Sequence, residues 1–170
     1  TLTFDSNKVT SLNGVLIDVE SNTILAQRDC NAKIYPASLT KIMTLIVAAE
    51  NIKNYEDTFT MTNAILTPLI NQNATRAGFL EGEKVKMIDM MYGVVLPSGA
   101  DATVGLAEAI SGSEENFVVL MNEKVQALGL KNTHFTNTSG LYDENNYSTV
   151  VDLAMMLKYA MQNELCRKIL

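Results

Sequence analysis

The chain has no tryptophan, one histidine, two cysteines and three prolines in 170 residues. One histidine and no close cysteine pair argue against a zinc site of the usual kind. They also leave serine, lysine, aspartate and glutamate to carry most of any catalysis. No apolar run approaches the roughly 18 to 20 residues that a membrane span needs. The N-terminus lacks the charged-then-apolar pattern of a secretory leader. Basic residues number 13 against 19 acidic ones, for a net charge of −6 and no basic cluster, which excludes an ordinary nucleic-acid-binding surface. No repeat, linker or low-complexity segment interrupts the chain.

What is present is a 47% apolar composition, enough to bury one domain's core. Residues 12–19 are rich in β-branched side chains, Glu20-Ser21-Asn22 supply a turn, and 23–26 form a returning strand, so a hairpin is expected. After Pro36, the apolar positions Ile42, Met43, Leu45, Ile46 and Ala49 recur at helical spacing over a broad face, the pattern of a buried helix starting near Leu39. Residues 53–83 read as loop with short elements. A second helical pattern begins at Val85 and runs through Met87, Met90, Met91 and Val94, its methionines filling core, until Pro97 stops it. Asp101 is expected to cap a helix over 102–110, Ser113 another over 114–128 stopped by Gly129, and Ser148 a last one reaching about Gln162. The expectation is one domain with a helical majority and a small sheet. The cysteines, Cys30 and Cys166, stand far apart; two free buried thiols is the plainer reading, with a disulfide left open.

The sharpest local motif is Ser38-Leu39-Thr40-Lys41, the only serine in the chain followed three residues later by lysine. On a helix these two share a face. Serine is a weak nucleophile until a base takes its proton, and a lysine can do so once burial or nearby positive charge keeps it neutral. The helix N-terminus beside Ser38 brings oriented N–H groups to where an oxyanion would form. A plain helix cap with a solvated lysine would give the same four letters. The second feature is Pro97-Ser98-Gly99-Ala100-Asp101, a tight break that could aim a second hydroxyl at Ser38, or be a turn and nothing more. His134 lies in a polar stretch with no nucleophile near it in sequence, and a structural role is expected for it.

Several segments together resemble the D-alanyl-D-alanine carboxypeptidases, the low-mass penicillin-binding proteins. Pro36-Ala37-Ser38-Leu39-Thr40-Lys41-Ile42-Met43-Thr44 resembles their nucleophile segment, and Leu96-Pro97-Ser98-Gly99-Ala100-Asp101-Ala102 their second motif. Gly129 to Phe135, Ser139-Gly140-Leu141, and Tyr147-Ser148-Thr149 with Asp152-Leu153-Ala154 resemble a further stretch typical of the family. The similarity runs from about residue 12 to 162, in matching order and spacing.

The resemblance implies an α/β (α+β) fold, an antiparallel sheet flanked by helices, with one helix carrying Ser38 through the centre. It implies that Ser38 attacks the bond between two terminal D-alanines of a peptidoglycan stem peptide, that Lys41 takes the serine proton, and that Ser98 relays a proton to the leaving amine. β-Lactams would acylate the same serine. No metal or cofactor is implied, and the family works outside the cytoplasmic membrane. Two departures qualify this. Ala100 stands where the family's second motif usually has asparagine, so a side-chain contact that orients substrate or lysine is lost; Ala100→Asn is expected to speed acylation. No Lys-Thr-Gly occurs in the 170 residues. The expectation is therefore a single domain over 1–170 that stops short of the family's K-T-G strand, with apolar surface exposed where further strands would pack. A β-lactamase or transpeptidase on the same fold is the enzymatic alternative, and a non-catalytic domain binding peptidoglycan or a wall-assembly partner is the other.

Overall fold

A computed structural model describes all residues from Thr1 to Leu170. The expected hairpin forms from β2 (Gly14–Ile17) and β3 (Ile24–Arg28), antiparallel, with Leu16 facing Ala26. Asp18 shapes its turn by accepting from the backbone N–H groups of Glu20 and Ser21, and Asn22 takes the left-handed conformation there (φ 58°). A short strand the sequence did not announce, β1 (Leu2–Thr3), adds to the other side of β3 in parallel. The sheet order is β1-β3-β2, so it is mixed rather than purely antiparallel and one edge of β2 is free. β4 (Thr58–Thr60) and β5 (Lys84–Lys86) form a separate antiparallel pair.

The helices are α1 (Thr40–Asn51), α2 (Asn63–Asn71), α3 (Met87–Val95), α4 (Ala100–Ser111), α5 (Glu114–Ala127), α6 (Val150–Gln162) and α7 (Glu164–Ile169). Central α1 packs against α3, α4, α5, α6 and α7. Nine of its twelve residues are buried, including Met43, Leu45, Ile46 and Val47. Each such side chain contributes about 1.5 to 3 kcal/mol when fully withdrawn from water, which makes α1 the fixed axis around which the site is built. The α3 methionines Met87, Met90 and Met91 are core, as their spacing indicates.

Four local expectations need correction. Val85 belongs to β5, because its neighbours Lys84 and Lys86 alternate outward from a buried valine; α3 starts at Met87. The stretch 53–83 contains a full helix, α2, whose Pro68 disguises it in sequence; burial of Ile65, Leu66 and Leu69 holds it despite the missing N–H. Asp101 is not the N-cap of α4, which starts at Ala100 with Gly99, a residue with no side chain to cap with, in that place. The cap of α6 is Thr149, whose hydroxyl accepts from Asp152 N–H at 3.1 Å, while Ser148 is buried against Thr133. Ser113 does cap α5, accepting from Asn116 N–H at 3.1 Å.

Cys30 and Cys166 are both buried free thiols. Between the free edge of β2 and helix α6 runs an apolar groove of about 410 Å³, lined by Ile17, Val19, Met155, Leu157 and Met161 among others. No helix is long and apolar enough to cross a membrane.

Candidate active site

Ser38 sits in a 3-10 turn, Ala37–Leu39, that runs directly into α1. Ala37 is left-handed (φ 48°), a conformation that costs a non-glycine residue on the order of 1 kcal/mol or more. That bend presents the Ser38 side chain outward at the helix's positive end. One turn on, Lys41 is only 6% exposed. Its ammonium lies 3.3 Å from Ser38 Oγ and donates to the carbonyl of Ser139 at 2.6 Å. No carboxylate lies within ion-pair distance of it, since the ion pairs of the protein are Lys86–Glu56 and Lys124–Glu50. Burial without a counter-charge pulls its pKa from 10.5 down to about 8.

Ser98 reaches the same oxygen from the other side, its hydroxyl donating to Ser38 Oγ at 3.0 Å. Its backbone is also left-handed (φ 57°). The turn after α3 is held by Gly99, whose N–H donates to Gly93 C=O at 2.9 Å. A Cβ on Gly99 would come within 2.8 Å of Ala77 N, Asp101 Oδ1 and Gly93 O, so only glycine fits. Asp101 is wholly buried, and its carboxylate accepts from the N–H groups of Ala77, Gly78 and Phe79 at 2.7, 2.9 and 3.2 Å. It ties the 77–79 loop to the turn that carries Ser98.

The floor of the site is the turn at 137–141. Thr138 C=O accepts from Thr44 Oγ1 at 2.7 Å, which anchors the turn to α1. Gly140 (φ 83°) lies so close to the nucleophile turn that a Cβ there would fall 1.8 Å from Ala37 O. The three side chains singled out from the sequence, Ser38, Lys41 and Ser98, therefore meet at one oxygen. His134 does not join them; its Nδ1 is bonded to Asn145 C=O at 2.7 Å and its backbone pairs with Tyr147. Ala100 is buried and its N–H donates to Thr75 C=O at 2.8 Å. Sequence reasoning missed Ser139, whose contribution is a backbone carbonyl, and Asp101, which looked like a cap. No three His, Cys, Asp or Glu side chains converge in a way that would hold a metal ion.

Such an arrangement has the parts of a serine acyl-transfer site: an exposed nucleophile, a depressed amine beside it, and a second hydroxyl within proton-transfer reach. Comparisons with known proteins agree in kind. The family model described as D-alanyl-D-alanine carboxypeptidase matches residues 2–169. The D-alanyl-D-alanine carboxypeptidase DacF of Bacillus subtilis is 39% identical over 155 residues, covering 88% of this chain and 39% of that protein. Among solved structures, penicillin binding protein 5 from Haemophilus influenzae superposes with a TM-score of 0.86 at 37% identity, over 91% of this chain and 46% of that one. The Streptomyces K15 DD-transpeptidase superposes at 0.90 with 30% identity, over 95% of this chain and 64% of that one. The chain thus spans about two fifths of the length of the curated relative.

Proposed function

Because the chain belongs to the D-alanyl-D-alanine carboxypeptidase family, we propose that it supplies the nucleophile half of a serine-type D-Ala-D-Ala carboxypeptidase acting on peptidoglycan stem peptides outside the cytoplasmic membrane. The relatives are longer, and full turnover is proposed for a protein that also carries a K-T-G strand. The 170 residues are then one part of a single penicillin-binding domain.

One observation carries the reading: Ser38 Oγ is held by Lys41 Nζ at 3.3 Å and by Ser98 Oγ at 3.0 Å together. Neutral Lys41 accepts the Ser38 proton as Ser38 Oγ bonds to the carbonyl carbon of the penultimate D-alanine. The carbonyl electron pair moves onto oxygen, beside the N-terminus of α1. As that oxyanion collapses, the bond to the terminal D-alanine nitrogen breaks, and Ser98 passes a proton from Lys41 to the departing amine. Water then attacks the ester, giving its proton to Lys41, and frees Ser38. In a β-lactam the leaving nitrogen stays tethered in the acyl group, and Ser38 stays blocked.

The test is intact mass after incubation with a penicillin, beside Ser38→Ala. A gain of one drug mass in the parent and none in the variant is expected. A gain in both, or none in either with an extended protein carrying a K-T-G strand, overturns the proposal. A second reading, a domain that binds stem peptides or a wall-assembly partner without turning them over, draws support from Ala100. Against it stands the meeting of Ser38, Lys41 and Ser98, which binding alone does not require. Rapid drug hydrolysis instead of a stable adduct would move the reading to a β-lactamase.

A further inference from the structure

Lys41 has three bonding directions and few partners to fill them. Neutral, it holds two N–H groups and one lone pair. The 2.6 Å bond to Ser139 C=O takes one N–H, and this sets the rotation of the amine. With that N–H pinned, the neutral amine can turn its lone pair to the Ser38 hydroxyl, which lies 3.3 Å away. Ala100, buried two residues after Ser98, has no polar side-chain atom to share the task. In this chain the aim of the base rests on where one carbonyl points.

That carbonyl follows Thr138, which is fully buried and fixed on every side. Its N–H and its hydroxyl both donate to the same oxygen, Glu114 Oε1, at 3.0 and 2.8 Å. Its hydroxyl also lies 3.0 Å from Thr103 Oγ1, and Thr103 in turn donates to Ala100 C=O at 2.9 Å. Glu114 is the first residue of α5, where the helix's unpaired N–H groups favour a negative charge. Glu108 and Glu115 lie close enough that burial and the charges of Glu114 and Glu115 raise the Glu108 pKa. An acidic side chain kept among other acids, and bonded twice to one buried threonine, is more than a surface charge.

We propose that Glu114 is a positioning residue for Lys41, acting through Thr138 to fix the Ser139 carbonyl that orients the base. The proposal rests on the acyl-transfer reading of Ser38, and it separates from that reading in the experiment. Glu114→Gln keeps an oxygen that can accept both Thr138 bonds; Glu114→Ala keeps neither. Two quantities are measured on the folded proteins well below their melting temperatures. One is the pH dependence of Lys41 acetylation by trace acetic anhydride, read by peptide mass, which requires no activity. The other is the rate of Ser38 acylation by a penicillin.

In Glu114→Ala the Lys41 labelling midpoint is expected to fall by about half a pH unit or more, because the ammonium loses its best acceptor. Acylation is expected to fall about tenfold or more, because the lone pair no longer faces Ser38. Glu114→Gln is expected to stay within about threefold of the parent in rate, with its midpoint unmoved. A merely structural Glu114 would lower the melting temperature of the alanine variant and leave its labelling midpoint in place, and that result overturns the proposal. If the parent is not acylated, the Ser38 reading fails on its own, and the labelling midpoint still decides the role of Glu114.

Discussion

Ser98 Oγ and Ser38 Oγ lie 3.0 Å apart although 60 residues separate them. Neither is placed by its neighbours in sequence alone. Ser38 is set by the bend into α1, and Ser98 by a glycine turn that Asp101 fastens to the 77–79 loop. The proton path of the proposed reaction is therefore a tertiary contact between two turns, and it should respond to changes in either.

Acylation should follow the titration of Lys41. Burial lowers that pKa to about 8, so at pH 7 roughly one lysine in ten is the neutral base. The rate constant for penicillin acylation is expected to rise about tenfold from pH 7 to a plateau above pH 9. Linkage gives the same group a sign for stability: the folded pKa lies below the unfolded one, so the buried charge is a penalty at and below pH 8 that is relieved as pH rises towards 10.5. Urea midpoints measured across that window should carry a rising contribution from Lys41 that Lys41→Met lacks. A flat acylation profile would remove Lys41 as the base.

Gly140→Ala places a Cβ 1.8 Å from Ala37 O in a backbone with φ 83°. Either the 137–141 turn or the nucleophile turn must move. A stability loss on the order of 3 kcal/mol is expected, together with at least a tenfold loss of acylation in the protein that remains folded. Urea denaturation and intact mass check the two parts separately.

Asp101→Asn exchanges one accepting oxygen for an amide that points N–H at N–H. Four backbone donors, those of Ala77, Gly78, Phe79 and Ala102, depend on that carboxylate, and a loss of about 2 to 4 kcal/mol is expected by denaturant titration. A near-neutral result would mean that the 77–79 loop does not need the anchor.

Ala100→Asn should accelerate acylation by restoring a side-chain partner near the base. The site of the change is buried, so the melting temperature is read alongside the rate. An unchanged rate in a protein of parental stability counts against the idea that alanine weakens the second motif.

Much of this was legible where chemistry is local. The hairpin showed in its β-branched runs, and α1 in its spacing. Ser38 and Lys41 showed because one helical turn is a distance that can be counted in letters. α2 was hidden by Pro68, since its stability comes from burying Ile65, Leu66 and Leu69 rather than from propensity. Asp101 reads as a cap because an aspartate in a first turn usually serves only its own helix; here it accepts from Ala102 N–H of that helix and also from three N–H groups of a distant loop. Ser139 carries no signal of its task in sequence, because its functional atom is a carbonyl that every residue has, brought to Lys41 across 98 positions.

Ala37 and Ser98 both hold left-handed backbones without being glycine. Glycine at either position would relax the turn, and a search guided by melting temperature alone would favour it. At position 37 the same relaxation would free the nucleophile to wander, and at position 98 the change would delete the partner hydroxyl outright. Durability and reactivity are thus opposed at these two positions, and a thermostabilised descendant of this chain should be screened for acylation before its stability is taken as an improvement.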